Sequence, residues 1–416
     1  MKNFFVHTFG CKVNIYESEV IKDIFLKEGY AAAKKAADAD VVVINTCTVT
    51  DKADSKFLHL LKKVRSENPS ALIVSLGCYT QLEPDNEVLN SFSDVILGLN
   101  NKYDVLEAIR EFKGDKFVSV PEGRDLDYAD HELRSFQDHT RAFLKVQDGC
   151  DNFCTYCTIK YARGNSRSRK RDSVISDVKY LSKNGFKEII LTGIDLGSYS
   201  DGESYDIYEL ICDILKVPGF RLRISSVEPW CLDDRLIELF VNEKRICPHF
   251  HIPLQSASKR ILKLMNRKYS LEEFDRLIST LSERKDVFIA TDIIVGFPTE
   301  TDEEFSESVK YLESSKITFA HVFSYSDRPF APSSKLKPKV SQNRIIQRSR
   351  KLRAVSEAKL HAFYALQKGK EKEVIIEKVI DNKDGTFSYS GLSENYIPVS
   401  YRSDAVYSKG DLITLI

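Results

Sequence analysis

Apolar and polar positions follow two different periods along the first quarter of the chain. Short apolar runs (NFFVHTF, DVVVINT, ALIVSLG, DVILGL) are interleaved with amphipathic stretches such as VNIYESEVIKDIFLKEG, DKADSKFLHLLKKVRSE and a last segment near Tyr103 to Glu111. Strands alternating with helices of this length predict a parallel sheet covered by helices on both faces. The pattern assigns residues 1–114 to an α/β domain the size of a flavodoxin-like unit. The polar, charged stretch 115–137, with EGRDLDYADHELRS, reads as a linker.

A second β/α series occupies 138–335. Its strand-like runs are RAFLKVQ, KEIILTG, FRLRISSV, PHFHIPL, VFIATDIIVGF and ITFAHVFSY, separated by helix-like segments such as DSVISDVKYLSKNG and DEEFSESVKYLESS. Six β/α units are too few to close an eight-fold barrel, so a partial (β/α)6 TIM-type barrel is expected, with its functional loops at the carboxyl ends of the strands. Residues 336–368 read as a basic linker helix. From 369 to 416 the pattern changes to short β runs (EVIIEKVI, TFSYSG, NYIPVSY, DLITLI) broken by the turn signals DNKDG and SKGD. That predicts a small all-β barrel of the OB kind.

Composition narrows the class. The 416 residues are too many for one ordinary core, so two or three domains are expected. With 42% hydrophobic and 29% charged residues the chain is globular rather than disordered. The opening MKNFFVHTFGCKVNIYESE lacks the long apolar core of a signal peptide, and no run has the length of a membrane span, so a cytoplasmic protein with no membrane partner is expected. The formal net charge is zero, which by itself points to no nucleic acid. Its distribution does: twelve Lys/Arg stand against two Glu between Lys335 and Lys372, and KYARGNSRSRKR, Lys160 to Arg171, has six basic residues and no acid. Two such runs around one domain favour a phosphate backbone over two solvated faces.

Nine cysteines, an odd number without a secretory signal, point to metal or redox chemistry rather than disulfides. Cys150, Cys154 and Cys157 (GCDNFCTYC) form C-x3-C-x2-C directly after AFLKVQ. Three thiolates on one tight loop hold three irons of a [4Fe–4S] cluster and leave the fourth open to a cofactor or substrate; an electron carrier would close it with a fourth Cys. A structural zinc wants four ligands, usually in two separated pairs, and no further Cys or His follows nearby. Cys11, Cys47 and Cys78 are far apart in sequence, yet each follows a predicted strand. The carboxyl ends of neighbouring parallel strands share one edge. Core packing of a small buried thiol accounts for one such cysteine; three at the same point of three β/α units favour a second cluster. Cys212, Cys231 and Cys247 read as core residues.

The C-x3-C-x2-C loop at the end of the first barrel strand resembles the radical S-adenosylmethionine (SAM) superfamily. The two cysteine sets in this order are similar to its methylthiotransferase branch. The resemblance runs over nearly the whole chain and is carried by HTFGCKVN, NTCTVT, LGCYTQ, KVQDGCDNFCTYC, YARGNSRSR, LTGIDLGSY, SSVEP, HIPLQSAS, LMNRKY and TDIIVGFPTET. The terminal β segment resembles the TRAM domain, a small RNA-binding barrel. The wording GCKVN and KVQDGC is most similar to the enzymes that act on N6-threonylcarbamoyladenosine at tRNA position 37, rather than those acting on isopentenyladenosine or a ribosomal-protein aspartate. The chain departs from the family wording at Asn165, Ala257 and Thr299, and in PFAPS after Arg328.

The resemblance implies a sulfur-transferring transferase with two [4Fe–4S] clusters. The cluster on Cys150, Cys154 and Cys157 would bind SAM and yield the adenosyl radical that takes hydrogen from C2 of the adenine. The cluster on Cys11, Cys47 and Cys78 would carry the inserted sulfur, methylated by a second SAM, so that SAM is both radical source and methyl donor. Candidate SAM-binding residues sit on the carboxyl edge of the barrel: Gly193 and Asp195 after the second strand, Ser226 and Glu228 after the third, Gln255 after the fourth, and Asp292 in the fifth. Arg163 and Arg167 are candidates for a carboxylate or phosphate of the substrate, Arg being suited to bidentate recognition. The expected partners are a tRNA anticodon stem-loop, an external electron donor such as flavodoxin or ferredoxin, and a sulfur source. The rival readings are a non-enzymatic RNA-binding iron–sulfur protein and an enzyme that modifies a protein side chain.

Overall fold

The computed structural model describes residues 2–121, 127–133, 136 and 139–416; of the expected linker, residues 122–126, 134, 135 and 137 lie outside this set. The chain divides into two compact units, the first made of Met1–Gln137, Lys145–Arg169 and Ser326–Ala331, the second of Asp138–Leu144, Lys170–Tyr325 and Pro332–Ile416.

The first unit opens with β1 (Asn3–Thr8), α1 (Lys12–Lys27), β2 (Ala31–Ala32), β3 (Val41–Thr46), α2 (Asp51–Glu67), β4 (Leu72–Gly77), α3 (Cys78–Leu82), α4 (Glu87–Phe92), β5 (Val95–Leu97), α5 (Val105–Glu111) and β6 (Phe117–Ser119). The strands form one parallel sheet in the order β2-β1-β3-β4-β5-β6, the flavodoxin-like arrangement expected. Strand β3 is buried along its whole length, because helices cover both sheet faces. Alternate residues take opposite sides. Val41, Val43, Val74 and Leu76 pack with Ile21 and Phe25 of α1 and Val105 of α5. Val42, Ile44 and Ile73 pack with Phe57, Leu61 and Val64 of α2. Further along, β7 (Ala142–Lys145) is followed by β8 (Gln147–Asp148), the cysteine loop, α6 (Ile159–Arg163) and β9 (Arg167–Ser168); β8 and β9 pair antiparallel and clamp the two ends of that loop.

The second unit continues with α7 (Arg171–Lys183), β10 (Glu188–Thr192), α8 (Ile207–Leu215), β11 (Arg221–Ile224), α9 (Asp234–Asn242), β12 (His249–His251), α10 (Lys259–Leu264), α11 (Leu271–Leu281), β13 (Phe288–Val295), α12 (Asp302–Ser314) and β14 (Phe319–Ser324). Two ladders, β7-β10-β11 and β12-β13-β14, meet through a bridge between Leu222 and Ile246. Among the described residues the result is six barrel strands and no closure, as the repeat count predicts. Capping boxes at Asp206/Glu209, Ser270/Glu273 and Thr301/Glu304 start α8, α11 and α12 where the sequence places D/S/T-x-x-E.

Helix α13 (Gln342–Gln367) leads to β15 (Lys372–Asp381), β16 (Phe387–Ser393), β17 (Pro398–Ser403) and β18 (Leu412–Leu415), an antiparallel sheet in the order β17-β16-β15-β18. A bulge between Ile376 and Lys378 curls it into a half-barrel, the TRAM-like element expected. Buried charge ties it to the amino ends of the barrel strands. Glu188 accepts from Arg223 (2.7 and 2.9 Å) and Arg221 (2.8 Å). The same arginines donate onward to the carbonyls of Glu373, Leu392 and Ser393. No helix among the described residues is long and apolar enough to cross a membrane.

Candidate active site

Strands β1, β3 and β4 each end one residue or a few before a cysteine, and their parallel register brings those ends level. Cys11 caps α1, Cys47 follows β3, and Cys78 starts α3. Two glycines make the approach possible. A Cβ on Gly10, at φ +105°, would lie 2.8 Å from Cβ and 3.0 Å from Sγ of Cys47. One on Gly77, at φ +115°, would lie 2.7 Å from the Thr46 carbonyl. No other residue fits either place. The thiols act electrostatically on one another: burial first, then Cys78 and Cys11, push the Cys47 thiol up to about 12, and burial, with Cys11 adding to it, raises Cys78 as well. Thiols so placed ionise only with positive charge among them, which a metal supplies outright.

None of the nine cysteines is joined in a disulfide. Among the described residues no three His, Cys, Asp or Glu side chains close in on a lone metal ion. A single zinc holds thiolates about 2.3 Å away, hence within about 4 Å of each other. A four-iron cube spreads one thiolate per iron and needs a wider set than a lone zinc does.

The second triplet lies in the same unit. In the loop Cys150–Cys157, backbone N–H groups point at sulfur: Asn152 N donates to Cys150 Sγ (3.4 Å) and Ile159 N to Cys157 Sγ (3.5 Å). A turn from Cys157 N to the Cys154 carbonyl (3.0 Å) folds the loop, and Cys154 is buried. N–H donors on thiolate sulfur are the chemistry an iron–sulfur cluster uses to hold and tune its ligands.

Beneath both triplets runs a buried charge network that the sequence reading missed. Glu17 on α1 accepts from Lys102 (2.8 Å), Lys145 (2.8 Å) and both terminal nitrogens of Arg163 (2.9 and 3.1 Å). Asp148 accepts from Lys145, Arg163 and Arg167 (2.6, 2.9 and 3.0 Å). Burial pushes the Glu17 carboxyl up, but Arg163, Lys102 and Lys145 outweigh it and hold the group far below the usual carboxylate range. Burial likewise drives Lys102 down to about 8. The visible signal was a Lys and an Asp three residues apart in a stretch that is otherwise mostly apolar, AFLKVQD.

The network takes up both arginines expected at the substrate. Arg163 is fully buried and the carboxylates it meets are the chain's own; Arg167 gives its donors to Asp148 and to the carbonyls of Arg163 and Asn165. The basic run Lys160–Arg171 is not a bare phosphate-binding face. Lys160 pairs with Asp151, Arg169 with Asp130, Lys170 with Asp201, and Arg171 with Asp213. A run of like charge in sequence is neutralised by carboxylates distant in sequence.

In the second unit the expected SAM residues gather at the carboxyl ends of β10, β11, β12 and β13. Asp195 accepts from Ser198 (2.6 Å) as it opens the turn after Gly193. Glu228 is bound by Arg267, whose guanidinium also stacks on Trp230, 4.6 Å from the ring centre. Burial raises the Glu228 carboxyl, Arg267 pulls it back, and Asp195 and Asp292 raise it further, so three carboxylates share one region. That concentration of negative charge suits a ligand carrying an ammonium and a sulfonium. Gln255 takes φ +68°, a strained conformation for a non-glycine residue and one that clusters at functional sites. His251, absent from the sequence reading, links Ser226 to Asp292 through Nδ1 (3.0 Å) and Nε2 (2.9 Å). Its place inside HIPLQSAS was the available signal. Cys231 is wedged against Gly197, where a Cβ would come within 2.3 Å of its own Cβ.

Comparison with known families matches residues 144–312 to the one described as "Radical SAM superfamily" and residues 3–98 to "Uncharacterized protein family UPF0004". The threonylcarbamoyladenosine tRNA methylthiotransferase MtaB of Aquifex aeolicus is 37% identical over 399 residues, 94% of this chain and 95% of that one. The tRNA-2-methylthio-N(6)-dimethylallyladenosine synthase of Acetivibrio thermocellus is 34% identical over 417 residues, 97% of this chain and 86% of that one. Among solved structures, the radical SAM methyltransferase TsrM of Kitasatospora setae aligns with a TM-score of 0.58 at 14% identity, over 80% of this chain and 75% of that one, a likeness of fold.

Proposed function

The chain belongs to the radical SAM methylthiotransferases, and from that premise we propose that it converts N6-threonylcarbamoyladenosine at tRNA position 37 to the 2-methylthio nucleoside, in the cytoplasm. Family membership implies SAM and a [4Fe–4S] cluster. The observation that carries the finer reading is 37% identity over almost the full length of an enzyme named for that nucleoside.

When bound, SAM and two clusters supply the hydrogen-atom abstraction from carbon, the inserted sulfur and its methyl group. The residues divide the remaining work. Cys150, Cys154 and Cys157 would hold the cluster that takes SAM, since they leave one iron without a protein ligand. Cys11, Cys47 and Cys78 would hold the sulfur-bearing cluster. Asp195, Glu228 and Asp292 would receive the cationic groups of SAM, with Gly193, Ser226 and Gln255 shaping the same edge. The exposed cations of α13 and the curled C-terminal sheet would hold the anticodon stem-loop through its phosphates. An electron donor such as flavodoxin or ferredoxin and a sulfur source complete the cycle.

The test is anaerobic turnover on three tRNAs, carrying threonylcarbamoyladenosine, isopentenyladenosine or plain adenosine, with 2-methylthio nucleosides read by mass spectrometry. Product from the first alone is expected. Preference for the second would move the chain to the branch of the dimethylallyladenosine relatives. Modification of a ribosomal protein and no tRNA would overturn the reading.

A further inference from the structure

We infer that Arg163 is the residue through which the two cysteine sets are coupled: it positions the Cys78 thiolate and sets how readily the group held by Cys11, Cys47 and Cys78 accepts an electron. The inference rests on the reading that those three cysteines hold an iron–sulfur cluster.

Arg163 closes α6, the helix that emerges from the Cys150–Cys157 loop. Its neighbour Ala162 packs directly on Cys78. Its charge draws the Cys78 thiol down against the upward push of burial. A second path runs through Asn14, whose Oδ1 accepts from Arg163 Nη2 (3.0 Å) and from Cys11 Sγ (3.4 Å). One side chain anchored beside the Cys150–Cys157 loop therefore acts on two of the three thiols of the other set.

Three features go beyond a structural ion pair. Arg163 is entirely buried and held rigidly, with two bonds to Glu17 and one to Asp148. Its Nε–H is also buried and has no acceptor. An orphan donor in the interior is costly, and an electron-rich sulfide beside Cys78 is the kind of group that would satisfy it. Finally, the ion pairs of this network, among the described residues, join four cations (Lys102, Lys145, Arg163, Arg167) to only two carboxylates (Glu17, Asp148). A core built for stability alone would balance its charges or replace them with apolar groups. Surplus positive charge instead favours a neighbour that becomes more negative. One-electron reduction of a cluster does that without moving a proton, and hydrogen bonds to its sulfurs and local net charge are what set its potential.

The test uses the full-length chain, reconstituted anaerobically with iron and sulfide in a Cys150→Ala, Cys154→Ala, Cys157→Ala background. The signal then comes from the Cys11, Cys47 and Cys78 site alone. Iron and sulfide are assayed first, and the midpoint is then measured by dithionite titration followed by electron paramagnetic resonance. The paired change Arg163→Met with Glu17→Gln removes one charge of each sign and leaves the net charge of the network unchanged. It should make the site harder to reduce by at least tenfold, about 59 mV for one electron. Glu17→Gln alone keeps Arg163, adds surplus positive charge, and should shift the midpoint the opposite way. Unchanged midpoints in fully loaded variants overturn the inference. If the paired variant does not fold, the sign of the single variant decides, and no positive shift overturns it. If the background protein takes up no iron at all, the cluster reading itself fails, which the first assay reveals separately.

Discussion

Arg348 lies in the second turn of the basic helix α13, yet it gives its guanidinium to buried Glu300, Nη1 to Oε2 at 2.6 Å, rather than to solvent. Its other terminal nitrogen binds Asp302 (2.7 Å). Arg353 is exposed but donates to the Val322 carbonyl. The charge on α13 that remains open to a phosphate is therefore that of Arg350 and Lys351, with that of Arg344, which is exposed and only loosely paired with Asp302 at 3.7 Å. Changing those three to Gln should lower the slope of log affinity against log salt by about 2 to 3, at roughly 0.7–0.9 per lost phosphate contact. Arg348→Gln should instead lower stability and leave the slope alone. Filter binding of tRNA at several salt concentrations separates the two.

The two cysteine sets predict two different losses. Cys154→Ser should abolish formation of 5′-deoxyadenosine from SAM. Cys47→Ser should retain part of it while the methylthio product disappears, each variant keeping its fold by circular dichroism. Equal loss of 5′-deoxyadenosine in both would refute a division of roles.

Glu188 sits fully buried beneath Arg221 and Arg223. Burial pushes its carboxyl up, but Arg223 and then Arg221 and Arg141 prevail and hold it far below the ordinary value. A carboxylate lowered in the fold stabilises in full above about pH 5 and loses that contribution as pH falls through its folded value. Glu188→Gln should cost about 3–5 kcal/mol near neutrality by stranding two buried guanidinium groups. The gap from wild type should narrow steadily in acid. Urea midpoints at pH 7 and pH 3 check both statements.

Glu228 holds Arg267 and shares its surroundings with Asp195 and Asp292. Glu228→Gln should weaken SAM binding about tenfold or more, the scale of one charged hydrogen bond. Iron content should not change. Anaerobic calorimetric titration with SAM measures the effect, and an unaltered affinity would assign Glu228 to packing against Arg267 alone.

The sequence by itself determined the order and type of the elements: the parallel sheet, the six barrel units, and the β run that closes the chain. Hydrophobic period and turn chemistry are local properties, and they agree here with the final packing. It also pointed to both cysteine triplets. One is a local spacing, and the other follows from the rule that parallel strands end on a common edge. Only the tertiary structure decided the fate of the charges. KYARGNSRSRKR reads as a cationic surface because the partners of Arg163, Arg167 and Arg169 are Glu17, Asp148 and Asp130, brought in from distant parts of the chain. His251 reads as one more residue of a strand until β11, β12 and β13 set it between Ser226 and Asp292. An apolar side chain needs only a face to be buried against, which periodicity encodes, whereas a charge needs one particular partner at about 3 Å, and that pairing exists only once the chain has folded.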